Sequence, residues 1–161
     1  MDAHTLWKTL HVLSATVLIG TGIGIAFFCW FGSRDAIRRG DIGALRIVLR
    51  FTVMADALFT APAVVFQLLS GAVLLHLDGW SWSSPWSLTA VGLFAFVGAC
   101  WLPVVWIQLR LKRIVESAPS IEKLPLDFAR KFRVWLLLGA PAFASVVAIV
   151  FLMVAKPLAV V

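Results

Sequence analysis

Residues 6–31 read LWKTLHVLSATVLIGTGIGIAFFCWF, and after Lys8 no Lys, Arg, Asp or Glu occurs until Arg34. An apolar run longer than about 18 residues is the mark of a helix that crosses a bilayer. Its entry end carries His4, Lys8 and His11, spaced four and three apart. A helix turning about 100° per residue puts those side chains on one face. The same face continues inward through Ala15, Leu18, Gly22 and Cys29. A histidine one or two turns inside a membrane helix is a functional-site hypothesis.

Working outward, further apolar runs follow, and the four predicted spans cover about 5–31, 50–76, 86–109 and 133–155. Each exceeds the roughly 20 residues needed to cross a 30 Å hydrocarbon core. Sixty-one per cent of the residues are hydrophobic and 14% charged, against about 25% charged in soluble domains. Lipid is the natural solvent for such a chain. The expected fold is all-α: one domain over 1–161, an integral membrane antiparallel four-helix bundle.

The net charge of +6 does not point to nucleic acid, because of where it lies. Five Lys and Arg fall in 32–50, none in 77–85 and seven in 109–133. That alternation puts the loops 32–50 and 109–133 in the cytoplasm and both termini outside, with anionic lipid as the partner of the basic faces. Cys29 and Cys100 fall inside apolar runs and read as small core residues; there is no Cys-x-x-Cys spacing. The amino end lacks the pattern of a cleavable signal peptide.

Asp41 is placed to cap a helix that begins before the membrane and continues as the second span, with Arg46 and Arg50 at its headgroup boundary. Pro62 is expected to kink that span. Asp56, Thr60, Gln67 and Ser70/Gly71 share one face of it, and Asp56 is the only acidic residue within any span. A lone carboxylate in lipid must face the bundle; the expected partner is Arg50 or Arg133, or else the group stays protonated. Asp78-Gly79 supplies a turn, Ser84 a cap and Pro85 a helix start. Trp80, Trp82 and Trp86 read as an aromatic belt or as a lid over a flat ligand. Residues 114–129 form the longest polar piece. Small residues at Gly20/Gly24, Ala95/Ala99 and Ala140/Ala144 are surfaces for close helix approach, within the bundle or in a homo-oligomer.

His4, His11 and His76 are all the histidines of the chain, and the topology gathers them at the outer end. Three readings compete. The first is a b-type haem with His11 as one axial ligand and His76 or another group opposite, Ala15 and Gly22 admitting the ring and Trp80 covering it, exchanging electrons with quinone or an outer-side donor. On an ideal helix, however, His76 lies nearly opposite the Asp56–Gln67 stripe. The second is a copper or other metal site on His4, His11 and His76. The third is a structural or partner-binding subunit without cofactor. No hydrolytic triad assembles, and Gly20-x-Gly22-x-Gly24 lacks the strand–helix setting of a phosphate loop.

The segments Trp7–Ala15 (WKTLHVLSA) with Gly20-Thr21-Gly22, Ala55–Pro62 (ADALFTAP), Trp101–Trp106 (WLPVVW) and Leu152–Pro157 (LMVAKP) resemble a bacterial family of predicted integral membrane proteins, domain of unknown function 2269. The resemblance spans nearly the whole chain and implies a four-helix inner-membrane protein without implying an activity. More distantly, Leu10–Ser14 (LHVLS) is similar to the first helix of the bacterial membrane protoporphyrinogen oxidase and of the copper-resistance membrane domain. From the oxidase only His11 carries over, as a haem ligand. The arginine and second histidine expected later in that helix are replaced here by Phe27, Phe28, Cys29 and Trp30.

Overall fold

The computed structural model describes residues 2–155. Met1 and residues 156–161, with Lys156 and Pro157 of the last family-like motif, lie outside the described residues. The first helix, α1 (Ala3–Arg39), starts where the Asp2 carboxylate accepts the Thr5 N–H at 2.7 Å. Hydrogen bonding from the Thr5 side chain, and then from its backbone N–H, holds the Asp2 pKa below the usual carboxylate range. The helix continues eight residues past Phe31, because Gly32–Arg39 is polar but contains no proline. It ends at Gly40, whose φ of 69° is the left-handed conformation that favours glycine. Asp41 then caps α2 (Ile42–Ala55), accepting the Ala44 N–H at 2.8 Å, as expected.

The second rod departs from regular α geometry just before Pro62. It widens into a π turn at Asp56–Thr60 and resumes as α3 (Ala61–Leu77). Proline has no N–H for the carbonyl four residues back and its ring crowds that carbonyl. Here the Ala61 N–H reaches back five residues to the Asp56 carbonyl, so the strain is absorbed just before the proline.

Gly79 makes the next turn at φ 68°, and α4 (Pro85–Ser117) starts at the proline after Ser84. The Ser84 hydroxyl pairs with Ser87 Oγ at 2.6 Å rather than with a helix amide. After a short 3₁₀ turn at Ile121–Lys123, α5 (Leu126–Ala155) closes the chain. The polar piece expected over 114–129 is therefore mostly helix. The break is confined to the stretch marked by the two prolines: α4 stops just before Pro119 and α5 starts just after Pro125.

The rods Ala3–Arg39, Ile42–Leu77, Pro85–Ser117 and Leu126–Ala155 are each long and apolar enough to cross a membrane. α1 packs along α2 and α3, and α4 along α5. The two hairpins meet chiefly through α2 and α4, and more lightly through α1 and α5. The densest core, around Cys29, Leu45, Leu49, Leu111, Val115 and Trp135, lies toward the basic end, where the Gly40 turn and the 118–125 connection sit. Both cysteines are buried and free. Arg46 staples this end: Nε donates to the Val115 carbonyl at 3.0 Å and Nη2 to the Ala118 carbonyl at 2.7 Å. It thereby serves carbonyls at the end of α4 that have no helical partner.

The small residues divide in a way the sequence does not reveal. A Cβ at Gly32 would lie 2.9 Å from Val48, at the α1–α2 crossing, whereas at Gly20, Gly24, Gly92, Gly98 or Gly139 it would meet nothing within 4 Å. Close approach inside this bundle uses Gly32. The Gly20/Gly24 stripe faces outward.

Candidate functional site

Two polar clusters sit within the spans, one on each side of the π turn. The first joins α1 to α3 toward the tryptophan end. His11 Nδ1 lies 2.7 Å from Ser70 Oγ, and the Ser70 hydroxyl donates to the Phe66 carbonyl at 2.6 Å. In the orientation that satisfies its neighbours, the Gln67 amide nitrogen donates to His11 Nδ1 at 2.8 Å and to the His11 carbonyl at 3.2 Å. The Gln67 oxygen accepts the Ala15 N–H at 3.3 Å. Gln67 thus reaches into one backbone step of α1, between His11 and Ala15. Gly71 lies alongside: a Cβ there would lie 3.5 Å from His11 Cε1, in ordinary van der Waals contact. Trp7 stacks on Phe66 beside it, with ring centroids 6.2 Å apart.

Nearer mid-span, the Ser14 hydroxyl donates to the Ala63 carbonyl at 3.3 Å, and Thr60 Oγ1 donates to Thr21 Oγ1 at 3.3 Å. These bonds tie α1 to the second rod between Thr60 and Ser70.

The second cluster joins α2, α4 and α5. Asp56, buried at the start of the π turn, accepts from Trp101 Nε1 on one oxygen at 3.3 Å. Its other oxygen accepts from the Gln108 amide at 3.2 Å, and the Gln108 oxygen accepts from Trp135 Nε1 at 3.1 Å. The expected arginine partner is therefore corrected: among the described residues Asp56 makes no ion pair. Arg50 lies over the Phe51 ring instead, 5.1 Å from its centroid. Neutral donors satisfy the carboxyl without the cost of burying a guanidinium. Gln108 is the residue the sequence reading missed. Its signal was a spacing of seven from Trp101, which puts both on one face of α4.

The histidines go three ways. His11 turns to Ser70 and Gln67. His4 Nε2 pairs with Asp78 Oδ1 at 2.6 Å, fastening the start of α1 to the turn after α3. His76 is exposed. No three His, Cys, Asp or Glu side chains among the described residues are grouped so as to hold a metal ion. Ala15 receives Gln67, and a Cβ at Gly22 would lie 3.9 Å from Phe143 Cδ2. Trp80 packs edge-on against Trp86, centroids 5.5 Å apart.

Residues 5–157 match a family described as predicted integral membrane protein, DUF2269. The chain belongs to this family. Its four membrane-length helices agree with that description, which names no substrate, cofactor or partner. No curated protein gives a significant match, and no solved structure does.

Proposed function

We propose that the protein is a non-enzymatic membrane subunit, in which His11 works as a clamp between α1 and α3 rather than as a ligand. The observation that carries this reading is the position of the Gln67 amide group, 2.8 Å from His11 Nδ1 and 3.2 Å from the His11 carbonyl, where its nitrogen donates to both when Nδ1 is unprotonated and the Ser70 hydroxyl is not receiving a proton from it. A neutral imidazole that accepts at Nδ1 keeps its proton on Nε2, and a protonated Nε2 cannot bind iron or copper. The remaining polar groups within the spans are likewise committed to neighbouring helices: Asp56 and Gln108 to each other and to two indoles, Thr60 to Thr21. A b-type haem fits these surroundings poorly. The face of α1 below His11 receives Gln67 at Ala15 and Phe143 at Gly22, and the second histidine, His76, is exposed.

One observation favours the haem reading. Because the Ser70 hydroxyl is donated to the Phe66 carbonyl, Ser70 can accept a proton from Nδ1, and that tautomer leaves Nε2 free to ligate. A single set of variants separates the two. Asparagine places an amide close to where Nδ1 sits, so His11→Asn preserves the clamp and removes the ligand, whereas His11→Leu removes both. The clamp predicts that the Asn variant melts near the parent and the Leu variant several degrees lower. A Soret band in parent protein made in haem-replete cells, lost in both variants, would instead establish the ligand role and overturn the subunit reading.

A further inference from the structure

A groove of about 400 Å³ runs between α1 and α2, past Thr21 and Gly24 and walled by Phe28, Phe51, Leu58 and Phe59. The four wall residues are largely exposed, so the groove opens to the side of the bundle, where hydrocarbon is the medium. From Phe51 to Phe59 it extends about 12 Å along the helix, a length suited to part of an acyl chain. Phe28 and Phe51 mark its basic end, and the Arg50 guanidinium lies over the Phe51 ring, 5.1 Å from its centroid.

Among the described residues Arg34, Arg50 and Arg110 each lie over an aromatic ring without an ion pair, and of the three it is Arg50 whose ring, Phe51, lines the groove. Arg46 is engaged by the carbonyls of α4. Arg38 and Arg39 share Asp35, and Asp127 takes Arg130 and Lys131. Among the described residues Arg50 has no carboxylate partner, so at the mouth of an apolar groove there is an exposed cation without a counter-ion. We infer that the groove holds an acyl chain of an anionic phospholipid whose phosphate is bound by Arg50. A choline or ethanolamine headgroup would bring its own cation toward an end of the bundle already rich in Arg and poor in free carboxylate, so the site favours a headgroup with net negative charge.

The test is native mass spectrometry of the full chain released from detergent containing equal amounts of dioleoyl phosphatidylglycerol and dioleoyl phosphatidylcholine. The expected result is one retained phosphatidylglycerol, favoured at least fivefold over phosphatidylcholine. Arg50→Gln should abolish the preference and Arg113→Gln, at a second basic position, should leave it. Gly24→Leu, which fills the groove, should reduce retention of both lipids. Equal retention of the two lipids overturns the inference. So does equal loss of preference in both arginine variants, which would indicate a general attraction to the basic end. Cross-linking of a Gly24→Cys variant into a dimer in phosphatidylglycerol bilayers would also overturn it, since a second copy would then cover the groove.

Discussion

Replacing Gln108 with leucine tests whether the Asp56 cluster holds the two hairpins together. The substitution keeps the bulk of the side chain and removes one amide. Two buried groups then lose a partner: one oxygen of Asp56 and the Trp135 indole N–H. Hydrogen bonds between membrane helices contribute about 0.6 kcal/mol on average and about 1.7 at most, so two of them put the loss at about 1–3 kcal/mol. For a chain of this size that corresponds to a melting temperature lower by roughly 3–10 °C. Asp56→Leu should cost at least as much, because it also strands Trp101 Nε1. Since the two residues share a bond, the double variant should be less destabilised than the two singles added together, by about 0.6–1.7 kcal/mol. The assay is thermal unfolding in detergent, followed by tryptophan fluorescence and by aggregation. Strict additivity, or a Gln108→Leu melt within 1 °C of the parent, would show that the two side chains do not act as a pair.

Gly32→Ala should destabilise by about 1–3 kcal/mol, because its Cβ would lie 2.9 Å from Val48 where α1 crosses α2. Gly20→Ala, with nothing within 4 Å, should be neutral or stabilise by up to about 1 kcal/mol through helix propensity; parallel melts check both. Arg46→Met should release the end of α4 from α2, and limited trypsin digestion should then cut at Lys123 at least several-fold faster, with Lys112→Met as the control.

The number of helices and their membrane character were legible because hydropathy measures the cost of placing each residue in lipid, and that cost does not depend on neighbours. Asp41 and Pro85 were equally legible, since cap chemistry is local. Helix ends were less so: α1 and α4 run past their apolar segments because polarity does not end a helix, whereas proline and a left-handed glycine do. The inward position of His11 was visible from spacing, but its partners were not. They depend on how α3 is rotated against α1, and hydropathy carries no information about that angle. For the same reason the carboxyl of Asp56 was assigned to an arginine of the basic end, Arg50 or Arg133, when Trp101 and Gln108 of α4 supply its bonds.

Both clusters depend on the phase of the second rod, and that phase is set at the π turn. Asp56 faces α4, while Gln67 and Ser70 face α1, and a widened turn accommodates one residue more than an α turn would. Deleting one residue inside it should therefore close the turn to ordinary α geometry and keep both halves facing their partners. Deleting one residue beyond it should swing Gln67 and Ser70 away from His11 by about 100°. Ala57 and Val65 are both exposed, so neither deletion removes a core side chain, and the difference between them isolates the phase. The Ala57 deletion should melt near the parent, and adding His11→Leu should lower its melt by as much as it does in the parent. The Val65 deletion should melt several degrees lower, and adding His11→Leu should change nothing further, because the clamp is already lost. If the two deletions behave alike, the π turn does not set the register, and the contacts of His11 must be held by the packing of α1 alone.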